Sequence, residues 1–364
     1  MRIQRNATCA VFSAILTCAG CESVTMRNLR GPVPTTLAQY RAYGDSITFG
    51  VTLRDPATQA YPVLVATDEN VTFAKNALGG DQACDVPTRQ IFPNGDSPTL
   101  ATHPTYTLLI GTNDVDVKGT GPYEAVYVLC HQATISWLGV PAEYKVLANT
   151  SEMTTTGLGA IDRSNNWNAW TTEAQGSTVS FTIAMANPGP IYAWPRIDDD
   201  NPATYTYSLD GVVLGAATTQ TTPRISTQNG STNSLGFLRL SQVPAGIHVV
   251  TFTQTSAGVN GVSVVGIGTP AGPVINRLPT VLVGTIPFQL HGGSVGACTS
   301  SDAPCLEYIK DIEADVTLFS ADGLDIRLFD TRKYMFGTAA EMDDSLHPNV
   351  LGQIELSQSV IASW

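Results

Sequence analysis

Two patterns of composition and apolar periodicity, here called textures, alternate along the sequence, and their order constrains the fold. Up to about residue 150, short apolar runs such as TYTLLIGTND alternate with segments of helical periodicity such as PYEAVYVLCHQATISWL. From about residue 150 to 270, Thr, Ser, Asn and Gly dominate, and short alternating runs such as STVSFTIAMA are separated by turn signals. The first texture then returns. Alternating strands and helices predict a parallel sheet covered on both faces, whereas the central runs predict an antiparallel β-sandwich.

The order of the two textures predicts a sandwich inserted into one α/β domain. We place the α/β domain at residues 38–149 and 275–364, and the inserted sandwich at residues 150–274. A chain of 364 residues with 43% hydrophobic content is long enough to bury a core in each part. The sequence therefore predicts an α/β fold with a second, all-β domain.

The charge balance excludes one class of function. The formal net charge is −12, and only 14% of the residues are charged. Nucleic-acid binding requires Lys and Arg to contact phosphates, and no basic run occurs here. The low charge and the high Thr, Ser and Asn content favour an exported protein over a cytosolic helical one.

The first residues resemble an export signal, which we place at residues 1–21. Arg2 and Arg5 precede a short apolar stretch from Ala7 to Leu16 that is too short to span a bilayer. The following Cys18-Ala19-Gly20-Cys21 resembles a bacterial lipobox, although Cys18 stands where that pattern prefers Leu. Two outcomes stay open, a lipid anchor on Cys21 and free secretion, and such an anchor is the only membrane contact expected.

The remaining cysteines are expected to form disulfides. They are Cys84, Cys130, Cys298 and Cys305. An even number in an exported chain favours disulfides, and three pairings are possible. A local bridge between Cys298 and Cys305 is the simplest choice, and it leaves Cys84 with Cys130. No CxxC or His cluster accompanies them, so no metal site is expected.

A serine and a histidine stand where an acyl-transfer site could form. Ser46 follows Gly44 and Asp45 at the end of a predicted strand, where Asp45 is expected to hydrogen-bond the surrounding loop. A serine nucleophile needs a base, and the base needs an orienting acid. His347 lies three residues after Asp344 in DDSLHPN, so one tight turn can bring these side chains together.

Donors for an oxyanion are expected at the neighbouring strand ends, because ligands bind at the carboxyl ends of parallel strands. The second strand ends in ALGGD, where Gly80 can bring its N–H close to a ligand. The third ends in IGTND, where Asn113 carries an amide donor. The N–H of Ser46 is the third donor.

These blocks, in this order, resemble the SGNH (GDSL-type) hydrolase superfamily. The matching blocks are Gly44-Asp45-Ser46, NALGGD, Gly111 to Asp114, and Asp344 to His347, and the resemblance covers roughly residues 38–150 and 275–364. It implies a flavodoxin-like three-layer α/β/α fold. It implies Ser46 as nucleophile, His347 as base with Asp344 as its partner, and Ser46, Gly80 and Asn113 as the oxyanion hole. Gly79 and Asp343 are the adjacent alternatives, and Asn76 stands one place off the family spacing.

The resemblance implies an esterase that uses an acyl-enzyme and requires no metal or cofactor. The export signal and the sandwich favour short acyl groups, most plausibly acetyl, on a carbohydrate as the ester substrate. A lipolytic or aryl-ester hydrolase is an alternative within the same family. A glycan-binding surface protein with a vestigial esterase site is an alternative of another class.

A few further residues carry weaker expectations. The run Asp198-Asp199-Asp200-Asn201 has oxygen ligands for Ca²⁺ but lacks the spacing of a calcium loop, so a solvated acidic turn is favoured. Trp167, Trp170 and Trp194 could stack on sugars or fill the sandwich core. His131 is expected on a helix surface and His103 in a loop. His291 follows a predicted strand end, and a position beside the cleft is its less favoured interpretation.

Overall fold

The computed structural model describes residues 40–95, 104–163, 167–200, 203–256, 261–272, 278–290, 298 and 303–364. These residues belong to one compact unit. They form one parallel sheet and two antiparallel sheets, so the predicted mixed α/β class is confirmed. The export signal, the lipobox with Cys21, and His103 and His291 lie outside the described residues.

The parallel sheet has the spatial order β2-β1-β3-β16-β17. Its strands are β1 (Tyr40–Gly44), β2 (Phe73–Lys75), β3 (Thr105–Leu109), β16 (Thr280–Gly284) and β17 (Asp325–Phe329). Strands β3 and β16 are buried along their whole length. The last residues of β1 and β3, Gly44 and Leu109, are in register. The loops after these strands therefore meet at one edge of the sheet.

Helices cover both faces of this sheet. They are α1 (Ser46–Phe49), α2 (Pro56–Gln59), α3 (Tyr61–Asp68), α4 (Thr112–Lys118), α5 (Pro122–Gly139), α6 (Ala303–Ala321) and α7 (Val350–Ile361). Shorter turns are the π-helical Val86–Ile91 and the 3₁₀ turns Phe92–Asn94, Ala142–Tyr144 and Thr331–Lys333. One face of the sheet, with Tyr43 and Val283, packs in a core with α5 and α6. The other face, with Tyr40 and Leu282, packs with α3 and α7. No described helix combines the length and apolar composition that spanning a membrane requires.

The antiparallel sheets lie between α5 and β16 in the sequence. Their strands are β4 (Lys145–Leu147), β5 (Met153–Thr156), β6 (Ala160–Asp162), β7 (Ala169–Thr172), β8 (Thr178–Met185), β9 (Gly189–Asp198), β10 (Thr204–Leu209), β11 (Val212–Thr218), β12 (Asn233–Leu235), β13 (Leu238–Val243), β14 (Gly246–Gln254) and β15 (Val262–Gly268). One sheet has the order β11-β10-β14-β8-β5. The other has the order β12-β9-β15-β7-β6, with β13 on β9 and β4 on β15. A second apolar core fills the space between the two sheets.

The sandwich packs directly on the α/β part. Trp194 of β9 donates its indole N–H to Ser136 Oγ on α5 at 3.0 Å. Its ring meets that of Trp137 edge-on, with 5.0 Å between centroids. The buried Lys145 donates to the Trp137 carbonyl at 2.8 Å and lies 4.2 Å from the Trp137 ring centroid. Burial lowers the pKa of Lys145 well below its ordinary value, and the charge of Glu143 opposes this shift.

Candidate active site

The turn after β1 fixes the position of Ser46. Gly44 has φ +153°, and a Cβ on it would lie 2.3 Å from both the Leu109 carbonyl and Thr48 Oγ1, so only glycine fits. Asp45 is the N-cap of α1 and accepts from the Ile47 N–H at 2.9 Å, as expected for a residue that fixes this turn. Ser46 is the first residue of α1, at the carboxyl edge of the parallel sheet.

The structure brings Ser46, His347 and Asp344 together in one line of hydrogen bonds. His347 Nε2 lies 2.9 Å from Ser46 Oγ, and His347 Nδ1 lies 2.8 Å from Asp344 Oδ2. The other oxygen of Asp344 accepts from the N–H groups of Leu346 at 2.7 Å and His347 at 2.6 Å. Burial raises the pKa of Asp344, but these hydrogen bonds outweigh burial and hold the pKa below its usual value.

The loop that carries His347 is fixed at both ends. Its residues 343 and 347 are joined by a backbone hydrogen bond of 2.9 Å from the Asp343 N–H to the His347 carbonyl. Asn349 then caps α7 by accepting from the N–H groups of Leu351 and Gly352. The imidazole is therefore carried by a turn that is hydrogen-bonded at both ends.

Two of the three predicted oxyanion donors, Gly80 and Asn113, lie beside each other. Asn113 is in the first turn of α4, and its Nδ2 donates to the Asp81 carbonyl at 3.0 Å. This bond uses one of the two N–H groups of the amide. Gly80 has φ +77°, a conformation that favours glycine. A Cβ built on the neighbouring Gly79 would lie 4.0 Å from Ser46 Cβ, so the glycine block borders the serine.

Gln90 links the serine turn to the glycine block, and no sequence motif identifies it in advance. Its Oε1 accepts from the Gly44 N–H at 3.0 Å. Its Nε2 donates to the Gly44 carbonyl and to Asp81 Oδ2, both at 2.7 Å. The only sequence signal for this link is the acid, Asp81, that directly follows Gly80.

Buried carboxyl groups surround this link, and their ionisation at high pH destabilises the folded state. Burial raises the pKa of Asp45 to about 7 and that of Asp114 to about 8. The Ala83 N–H donates to Asp114 at 3.0 Å and opposes the shift, while the charges of Asp85 and Asp45 add to it. The folded chain therefore keeps protons on these groups at pH values where the unfolded chain releases them.

The protein is therefore expected to lose stability as the pH rises from 5 to 8.5. The pKa of Asp114 is raised on folding, so its contribution is complete below the unfolded value near 3.8 and is lost as the pH passes about 8. Between pH 5 and 8.5, the free energy of unfolding should decrease less in Asp114→Asn than in the wild type, by roughly 1–3 kcal/mol. Urea unfolding at several pH values measures this, with Asp200→Asn, on an exposed side chain, as control. Parallel profiles for wild type and Asp114→Asn would contradict the expectation.

Several sequence expectations concern residues outside this site. The structure contains the Cys84–Cys130 and Cys298–Cys305 disulfides. Two disulfides fit an oxidising, extracellular environment. His131 is buried, contrary to the expected surface position, because its Nδ1 pairs with Asp315 Oδ2 on α6 at 2.7 Å.

The acidic run differs from its expectation, whereas the tryptophans take the buried alternative of the two roles expected for them. The interpretation of residues 198–201 as a solvated turn is wrong for Asp198 and Asp199, which are both buried. Asp199 accepts from the N–H groups of Ile225 and Ser226, so it holds a loop. Trp167, Trp170 and Trp194 are all buried, so none can stack on a sugar. Within the described ranges, no group of His, Cys, Asp and Glu is arranged to hold a metal ion.

Comparison with known proteins gives structural likenesses only. No family model matches the chain. No curated protein matches it either. A two-domain esterase (CEX) active on acetylated mannans, solved with mannopentaose, is 12% identical with a TM-score of 0.34, over 63% of this chain and 90% of that one. The module CBM36 in complex with calcium and xylotriose is 18% identical with a TM-score of 0.26, over 34% of this chain and 95% of that one. CBM35 from Paenibacillus barcinonensis is 12% identical with a TM-score of 0.26, over 34% and 94%. All three TM-scores lie below 0.5, so these likenesses do not establish a function for this chain.

Proposed function

We propose that this chain is an exported serine esterase of the SGNH (GDSL-type) superfamily. The observation that carries the proposal is the line of hydrogen bonds from Ser46 Oγ through His347 to Asp344, at 2.9 and 2.8 Å. These distances lie within the range that proton transfer between a nucleophile and its base requires. The order of the parallel strands along the sheet, 2-1-3 followed by the two later strands, supports the flavodoxin-like arrangement that the resemblance implies.

The proposed reaction has two steps. Ser46 Oγ attacks the ester carbonyl carbon while His347 Nε2 takes the serine proton, and the carbonyl oxygen becomes an anion. The N–H groups of Ser46 and Gly80 and the amide of Asn113 donate to that oxygen. The anion collapses, the alcohol leaves with the proton from His347, and an acyl-Ser46 ester remains. Water, deprotonated by His347, then releases the carboxylic acid and restores the serine.

We propose a short acyl group on a hydroxyl-rich alcohol as the substrate. The exposed amides of Gln228 and Asn229 lie next to Gly80, within 3.1 and 3.4 Å of a Cβ built there. Amides donate to and accept from sugar hydroxyls, whereas a long acyl chain needs an apolar wall. One observation favours the lipolytic alternative. Phe49, at the end of the helix that begins with Ser46, is 40% exposed.

A series of p-nitrophenyl esters from acetyl to dodecanoyl distinguishes these substrates. We expect kcat/KM to be greatest for acetyl and to fall at least tenfold by octanoyl, because a short acyl pocket excludes longer chains. Acetylated polysaccharides should then release acetate faster than the aryl ester does, at equal ester concentration. Activity that rises with chain length would support the lipolytic alternative. No turnover of any ester, together with glycan binding, would support a binding protein with a vestigial site.

The organisation of the chain is part of the same proposal. An export signal at residues 1–21, with or without lipid on Cys21, would deliver the protein to the compartment that the two disulfides fit. The α/β domain would comprise residues 38–149 and 275–364, and the sandwich residues 150–274. Strand β4 (Lys145–Leu147) pairs with β15 of the sandwich. The sandwich sheet therefore begins a few residues before the proposed domain boundary at residue 150.

A further inference from the structure

A loop of the sandwich lies directly on the glycine block. This docking loop, residues 225–231, is part of the connection between β11 and β12. Gln228 Nε2 donates to the Gly80 carbonyl at 2.6 Å, and Asn229 Nδ2 donates to Asp81 Oδ1 at 2.9 Å. The Gln228 backbone N–H also donates to Gln82 Oε1 at 2.9 Å. Three successive residues, the last two of the glycine block and Gln82 after it, are therefore hydrogen-bonded to the docking loop.

The docking loop is itself anchored and can act as a fixed support. At its start, Asp199 accepts from the N–H groups of Ile225 and Ser226. Its middle is closed by a 3.0 Å hydrogen bond from the Thr227 N–H to the Ser231 carbonyl. Thr227 Oγ1 also donates to Asp85 Oδ1 at 2.8 Å, and Asp85 is fully buried in the α/β part.

Asp81 connects the docking loop with the catalytic groups. Its carbonyl accepts from Asn113, and its carboxylate accepts from Asn229 and from Gln90, which in turn holds Gly44. Asp81 is fully buried at the side chain and also pairs with Arg89. A shift of this one residue would therefore move both the oxyanion donors and the turn that carries the nucleophile.

We propose that Gln228 and Asn229 are positioning residues of the esterase site, through which the sandwich holds Gly80 and Asp81 in the geometry that the oxyanion hole needs. This inference rests on the proposed function. Neither side chain needs to touch the reacting atoms. The sandwich then contributes directly to the geometry of the active site, in addition to any role in binding a glycan.

The test compares Gln228→Ala/Asn229→Ala with Gln175→Ala. Gln175 is a matched control, because its Nε2 also donates to a backbone carbonyl at 2.8 Å, but that carbonyl belongs to Thr255 within the sandwich. We expect the double variant to lower kcat for p-nitrophenyl acetate about tenfold to hundredfold, with KM changed less than about twofold, since the oxyanion donors act in the transition state. The control should retain wild-type kcat.

Hydrogen exchange gives a readout that does not depend on esterase activity. Amides in residues 78–83 should exchange roughly fivefold to tenfold faster in the double variant than in wild type, because two hydrogen bonds that oppose local opening are lost. Amides of the sandwich core strand β8 (Thr178–Met185) report whether the fold is intact. The single variant Asn229→Ala, which keeps the Gln228 contacts, should show the same effects to a smaller degree.

The pH profile separates positioning from a purely structural role. Burial raises the pKa of Asp81 to about 6, the nearby Asp85 raises it further, and Gln90, Arg89 and Asn229 oppose the shift. Asp81 in turn raises the pKa of Asp45. Protonation of Asp81 removes an acceptor for Asn229 or Gln90. In Asn229→Ala the pKa of Asp81 should rise, so the acid limb of kcat should move to higher pH.

The outcomes are distinct. Unchanged exchange at residues 78–83 in a folded double variant would overturn the inference, whether or not the protein is an esterase. Unchanged kcat, or a raised KM with kcat retained, would also overturn it, since the loop would then only cover the site or bind substrate. Faster exchange together with wild-type protein inactive on every ester would leave the support by the loop standing and reject the proposed function.

Discussion

Replacing Ser46 with alanine is expected to lower kcat for ester hydrolysis by about 10⁴–10⁶-fold. The change removes the oxygen that lies 2.9 Å from His347 Nε2, and no acyl-enzyme can then form. Ser46 is only 6% exposed, yet alanine fits the first turn of α1, so the melting temperature should change by less than about 3 °C. The p-nitrophenyl acetate assay and a thermal melt measure the two effects.

Two controls give the Ser46→Ala result its meaning. Ser151→Ala removes an exposed hydroxyl that donates to Glu152 in a turn of the sandwich, and should retain full activity. A fluorophosphonate should label the wild type on the peptide that contains Ser46 and should not label Ser46→Ala. If Ser46→Ala kept activity within tenfold of the wild type, another group would be the nucleophile and the proposed mechanism would be rejected.

The sequence predicted the parts of the fold that repeat a simple pattern. The segment PYEAVYVLCHQATISWL has helical periodicity and lies in a helix, and TYTLL is a fully buried parallel strand. The serine and the histidine, 301 residues apart, were paired because a serine nucleophile needs a base and because their blocks, in order, resemble the SGNH superfamily. The acid needed only the three-residue spacing to His347 on one turn.

The rest depended on contacts that no local pattern records. Apart from Ile225 at its start, the docking loop is made of Ser, Thr, Gln, Asn and Gly, the same residues that form solvated turns elsewhere in the sandwich. Its partner residues lie about 150 positions earlier, as with Gln228 and Gly80 at a separation of 148. The surface position expected for His131 is wrong for the same reason, because its partner Asp315 lies 184 residues away on another helix. A polar residue can be buried when a residue far away in the sequence satisfies its hydrogen bonds, and the periodicity of apolar residues does not predict this.

Replacing Asp344 with asparagine is expected to lower kcat by about 10³–10⁴-fold with little change in KM. The reason lies in the fixed orientation of the side chain. Two backbone N–H groups, of Leu346 and His347, donate to Asp344 Oδ1, so the oxygen of an asparagine must occupy that position. The asparagine NH₂ then faces His347 Nδ1, which becomes an acceptor. The ring proton moves to Nε2, which can no longer take the proton of Ser46.

Asp343→Asn is the matched control, because Asp343 is the neighbouring acid and its side chain is exposed. Its backbone N–H, which bonds the His347 carbonyl, is unchanged by the substitution. We expect Asp343→Asn to keep kcat within about twofold of the wild type, as for a surface substitution. A large loss in Asp343→Asn with a small one in Asp344→Asn would exchange their roles. Equal, small losses in both would mean that His347 needs no acid to fix its tautomer, because the turn that ends at Asn349 already holds the ring.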